Sequence, residues 1–201
     1  MRNIFTNQIL PEFLLFLSFK LKFIMTQPEI LSKLRIVFTE VEDTIQNVPE
    51  LNFFQRPPTN KWSVAENVDH LFLVAKPLVS LFAKPELMTA NWGKPTHAKR
   101  NYDELVAVYL EKIGNVGGTT SNFSPKNEIK TKPELTHNLI SIQNKFLERV
   151  ASLTENDLDT HQIPHPLIGL LTCREFLYFT HYHTCRHLKT IRKIIHDPFE
   201  K

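Results

Sequence analysis

The amino-acid sequence predicts an all-α fold resting on four long helices, and three observations carry that prediction. A Ser or Thr followed three residues later by Glu occurs at Thr26/Glu29, Ser63/Glu66, Thr131/Glu134 and Thr172/Glu175. Each pair fits a capping box, in which hydroxyl and carboxylate reciprocally satisfy free N–H groups of a first helical turn. Apolar residues recurring every three or four positions follow these starts, as one buried helix face requires. Only five glycines occur in 201 residues, and no stretch sustains the alternation of a half-buried strand.

Residues 1–24 differ from the rest. Their apolar run, Phe13 to Phe19, is closed in by Glu12 and Lys20 and falls short of the ~20 apolar residues of a membrane span. A single Arg2 ahead of it and no small-residue cleavage site make a poor secretory signal. The fold is therefore expected to occupy residues 25–197, starting at Met25. Residues 1–24 are read as a mis-assigned start or a loose extension, with a membrane-associating tail as the alternative.

The first helix, Thr26 to Asn47, carries Ile30, Leu34, Val37, Phe38, Val41 and Ile45 as its stripe. The second, Ser63 to about Ala83, is apolar on most sides after His70, as expected of an element covered by neighbours. Pro77 should kink it or remove one internal hydrogen bond. The connection Lys84 to Lys130 reads as loop plus one short amphipathic helix, Tyr102 to Ile113, followed by a break at Gly117-Gly118. The third long helix, Lys132 to Leu153, presents Leu135, Leu139, Ile142, Phe146 and Val150, and the fourth runs from Thr172 to Ile195. Pro28 and Pro133 fall in first turns, where a missing N–H leaves no intrahelical acceptor unpaired.

A chain of this length holds one domain with a full core. Its net charge of +3 includes no basic run, which argues against a nucleic-acid partner. Cys173 and Cys185 lie on the same predicted helix, ~18 Å apart at 1.5 Å per residue, and cannot pair within it. Reduced thiols in a cytoplasmic protein are the simple reading.

The fourth helix carries the chemistry. His183 and His187 are four residues apart, with Cβ atoms ~6 Å from one another on one face. Stepping from Phe176 through Phe179, Thr180, His183, His187, Thr190 and Ile191 to Ile194 places both imidazoles on the apolar stripe. A buried polar group without a partner costs ~1–3 kcal/mol, so these rings need either hydrogen bonds or a metal ion, and the helix alone leaves both open. Three protein ligands are usual in a catalytic site. His70, two turns after Trp62-Ser63 among apolar neighbours, is the best-placed third. His97 and His137 stand in polar surroundings, His196 follows the helix, and His181 and Cys185 are turned ~200° from His183. His165, before Pro166, either looks into the site or ends a turn. Trp62 reads as a packing anchor and Glu66 as a cap.

RPPTNKWSVAENVDHL (Arg56 to Leu71) and HPLIGLLTCREFLYFTHYHTCRHLKTI (His165 to Ile191) together resemble the DinB-like superfamily, in its branch with a Trp-Ser helix start and a His-Pro-x-x-Gly loop before the last helix. The resemblance implies a DinB-like four-helix bundle with a metal held by three histidines, which fall on His70, His183 and His187. Members include thiol-dependent S-transferases and isomerases. Many continue the last motif with a second adjacent histidine and an Arg-Gly-Gln run; this chain has Arg186 before His187 and Leu188-Lys189-Thr190 after it, so only the triad is carried over.

Three neutral imidazoles leave a divalent ion its full charge and an open position, which activates water or a thiol near neutral pH. Zn, Ni, Fe and Mn suit such ligands comparably. Free imidazole protonates near pH ~6.5, so metal binding is expected to weaken below that. The function expected is that of a metal-dependent hydrolase, or of a transferase using a low-molecular-weight thiol, on a small-molecule substrate. A non-catalytic bundle binding a small molecule or partner is the alternative. No catalytic acid or base is assigned, Asp69 pointing to another face than His70. A homodimer is compatible with partly apolar helix faces.

Overall fold

The structure, a computed structural model, describes residues 23–58, 61–114, 123–125 and 130–196. Most of the predicted extension, residues 1–22, lies outside the described residues, as do Gly117, Gly118 and residue 197. In chain order the elements are α1 (Gln27–Gln46), α2 (Glu50–Phe54), α3 (Val64–Phe82), α4 (Pro85–Trp92), α5 (Tyr102–Gly114), α6 (Lys132–Ser152), α7 (Glu155–Thr160), β1 (Gln162–His165), β2 (Gly169–Thr172) and α8 (Cys173–His196).

The four expected capping boxes open the four long helices. The backbone N–H groups of Thr26, Ser63, Thr131 and Thr172 donate to the carboxylates of Glu29, Glu66, Glu134 and Glu175 at 2.7, 2.8, 2.7 and 2.9 Å. The apolar stripes then drive assembly. α1 packs on α6 and α8, and α3 packs on the same two helices, closing a four-helix bundle. Every expected stripe residue of α1 is buried, and Leu34, Val41, Val68, Leu139, Phe146 and Leu177 are wholly inside. Each such side chain contributes ~1.5–3 kcal/mol on leaving water. Phe146 meets Phe38 and Phe82 ring to ring at 6.0 and 5.6 Å.

The connection from α3 to α6 returns to α8 and straps it. α5 packs along α8, and Arg100 reaches the buried Glu175 at its start through Nε at 2.8 Å. On the same turn, Arg174 donates to Asp159 (2.7 Å), to Glu155 (2.6 Å) and to the carbonyl of Met25 (2.6 Å). The Met25 N–H meets the Tyr178 hydroxyl at 3.0 Å, so the chain is fastened to the bundle from that residue onward.

Several expectations need correction. The segment before α8 is not a plain loop but an antiparallel hairpin, pairing Gln162 with Thr172 and His165 with Gly169. Its strands span four residues each, too few to show alternation. Among its described residues the connection holds two α-helices rather than one, because α4 precedes the expected α5. Pro77 lies inside a continuous α3; it lacks the N–H that would bond the carbonyl of Leu73, and the helix runs on through it.

Candidate metal centre

α3 and α8 pack side by side, and His70 on the first faces His183 and His187 on the second. Nε2 of His183 lies 3.1 Å from Nε2 of His70 and 3.2 Å from Nε2 of His187. One ring nitrogen from each histidine lies within 4.8 Å of the other two. Among the described residues this is the one group of three or more His, Cys, Asp or Glu side chains so arranged. His70 and His183 are buried and His187 is half-buried.

The outer nitrogens decide how these rings are protonated. Nδ1 of His70 is 2.6 Å from the carbonyl oxygen of Phe123, which can only accept, so this nitrogen carries the proton. Nδ1 of His187 is 2.7 Å from Oδ1 of Asn67. The amide nitrogen of Asn67 donates to the carbonyl of Ser63 at 2.8 Å, which leaves Oδ1 to accept from His187. Both Nε2 atoms therefore present lone pairs to Nε2 of His183. A single proton on His183 could satisfy one of them and would leave the other facing a nitrogen at hydrogen-bond distance unmatched. A cation in the middle satisfies all three. Tetrahedral ligation at ~2.0–2.1 Å sets nitrogens ~3.3–3.4 Å apart, close to the spacings seen. The residues present thus fit a divalent metal.

The electrostatics agree. Burial pushes His187 down to about 3, with the charges of His70 and Arg186 adding to it. His183 falls well below the ordinary imidazole range, first through burial and then through its two neighbours. Burial also lowers His70, against the opposing hydrogen bond to Phe123. All three rings are neutral at physiological pH, the form that coordinates metal.

Aromatic rings wall the group. Trp62 packs on His70 at 5.0 Å and stacks on His187 at 6.2 Å and 19°, an anchor that also covers the site. Phe179 stacks on His183 at 5.0 Å and 29°. His165, left open by the sequence, ends the turn: its Nδ1 accepts from the N–H groups of Leu167 and Ile168 at 3.2 and 3.3 Å. Its ring packs on Phe179 at 4.3 Å, and burial alone pushes it down to about 4. His97 bonds Glu175 at 2.9 Å. His137 and His196 are exposed. His181 and Cys185 line a groove of about 340 Å³ with residues of α1, apart from the triad. Asp69 is engaged by Lys130 at 2.8 Å, and Glu66 is a cap that also pairs with Arg56.

Two contributors have no role assigned from the sequence. Asn67 stands three residues before His70, a spacing that already places it on the same face, but its bond to His187 is not readable from that spacing. Phe123 contributes only a backbone carbonyl, which no residue pattern announces.

The family model for the DinB superfamily matches residues 33–191. The chain belongs to the DinB superfamily. YuaE of Bacillus subtilis, an uncharacterized protein, is 22% identical over 155 residues, covering 77% of this chain and 90% of its own. Among solved structures, YfiT of Bacillus subtilis aligns with a TM-score of 0.52 at 14% identity over 84% of this chain and 85% of its own. YfiT is described as "a probable metal-dependent hydrolase with an unusual four-helix bundle topology". A Streptococcus pneumoniae protein aligns with a TM-score of 0.53 at 16% identity, covering 89% and 96%. At these identities the likeness is one of fold.

Proposed function

We propose that this DinB-superfamily protein is a metal-dependent enzyme whose single divalent ion is held by Nε2 of His70, His183 and His187. The observation that carries the reading is the inward convergence of three neutral ring nitrogens, two of them fixed by outer hydrogen bonds to Phe123 and Asn67. Such outer partners orient ligands and raise their basicity. A hydrolase acting on a small molecule is the first form of the proposal, and transfer of a low-molecular-weight thiol the second.

When bound, a divalent ion on three neutral ligands supplies Lewis acidity and lowers the pKa of a water or thiol beside it. The chain's own residues do the rest. Trp62 and Phe179 exclude water from two sides of the triad, which strengthens every charge interaction inside. Asp69, Glu66 and Glu175 are committed to Lys130, Arg56 and Arg100, so proton transfer falls to substrate and solvent rather than to these carboxylates. Cys173 and Cys185 are unpaired, which fits a reducing compartment such as the cytoplasm.

The test is a screen of small esters, amides and thiol–electrophile pairs with metal-loaded and chelator-treated protein. Turnover should vanish on chelation, return with metal and be absent in His183→Ala. Turnover that survives complete metal removal contradicts the proposal.

A further inference from the structure

The triad has a cationic neighbour that no carboxylate pairs with among the described residues. Arg186 sits on α8 three residues after His183 and immediately before His187, at the edge of the ligand face. Its Nη1 donates to the hydroxyl of Tyr109 at 3.0 Å. Tyr109 is buried, and its ring packs at 5.1 Å on Phe179, the ring that stacks on His183. The arginine is therefore braced against the wall of the site.

Arg56, Arg100, Arg174 and Arg192 each pair with a carboxylate. Arg186, like Arg35 and Arg149, has no such partner among the described residues and is exposed enough to reach solvent, but it alone of these three stands beside the triad. Only one of its N–H groups is used by Tyr109, and a guanidinium presents five in a planar fork shaped for a carboxylate. With a divalent ion on the triad, the guanidinium braced at its edge and Asp69, Glu66 and Glu175 engaged by Lys130, Arg56 and Arg100, the site would carry an excess of positive charge. Such a site favours a ligand that brings the missing negative charge.

We propose that Arg186 is the anion-recognition residue of this site, and that the substrate carries a carboxylate next to the group presented to the metal. The inference rests on the three-histidine metal reading. Tyr109 acts through Arg186 as a positioning residue.

The experiment titrates mercaptoacetate and its uncharged amide, mercaptoacetamide, into zinc-loaded protein by calorimetry, with zinc content measured alongside. Arg186→Gln should keep one equivalent of zinc and weaken mercaptoacetate about tenfold or more while changing mercaptoacetamide less than about twofold. Arg186→Lys should recover part of the loss. Equal weakening of both ligands, or of neither, overturns the inference and leaves the metal reading standing. If Arg186→Gln itself loses zinc, Tyr109→Phe decides: it should weaken mercaptoacetate selectively, by about threefold, and an unchanged preference overturns the inference. A native protein that binds no zinc overturns both readings.

Discussion

At the scale of single residues, Asn67 is the sharpest test of how the centre is built. Its Oδ1 holds His187 and its amide is held by Ser63, so Asn67→Ala frees a ligand ring without touching a ligand. Metal affinity should fall about 10–100-fold, measured by competition with a chelator, while the helical signal persists; unchanged affinity would make the contact incidental. Acid should release metal late. A free imidazole protonates near pH ~6.5, but all three rings are lowered, His187 to about 3. Protons therefore compete with metal only below that value, and the midpoint of metal loss should lie on the acid side of pH ~6.5. Loss centred at pH ~6.5 would mean that the rings are solvated in solution. The helical spacing of His183 and His187 and the apolar setting of His70 were enough to nominate all three rings. The carbonyl of Phe123 was beyond sequence reasoning, since any residue could supply it.

At the scale of elements, helix starts were readable because a capping box is local chemistry. Short elements were not. α7 opens with Thr154 paired to Asp157 rather than Glu, and the strands β1 and β2 are too brief for any period. The hairpin turn instead depends on Gly169 at φ +86°, where Gly169→Ala should cost about 1 kcal/mol in urea unfolding although a Cβ meets nothing. Glu175 does more than cap α8. Burial alone would raise its carboxyl, yet hydrogen bonds from Arg100, His97 and the Thr172 N–H hold it below the usual range. A lowered folded-state pKa means stability that is fully present above pH ~4.3 and lost as pH falls through the lower folded value. Glu175→Gln should cost about 3 kcal/mol at neutral pH, because Arg100 is left without its partner. The gap from the native protein should narrow as pH falls below ~4.3; a gap independent of pH would mean that the ion pair contributes little.

For the whole molecule, the bundle followed from four amphipathic helices, but which helices would adjoin came from the superfamily resemblance. What the pattern could not show is that the α3–α6 connection folds back over α8, because its anchors, Arg100 to Glu175 and Tyr109 to Arg186, join residues far apart in sequence. The site ties α3 to α8, so a bound ion links two halves of the bundle. Metal at 100 times its dissociation constant should add about 2.7 kcal/mol to the stability of the native protein, seen as a raised melting temperature, and nothing to that of His183→Ala. The most direct measurement is elemental analysis of untagged protein beside His70→Ala and His183→Ala. About one equivalent of divalent metal in the native chain, lost in both variants while helical circular dichroism is retained, is the predicted result. A native protein that stays free of metal after incubation with Zn, Ni, Fe and Mn would contradict the account.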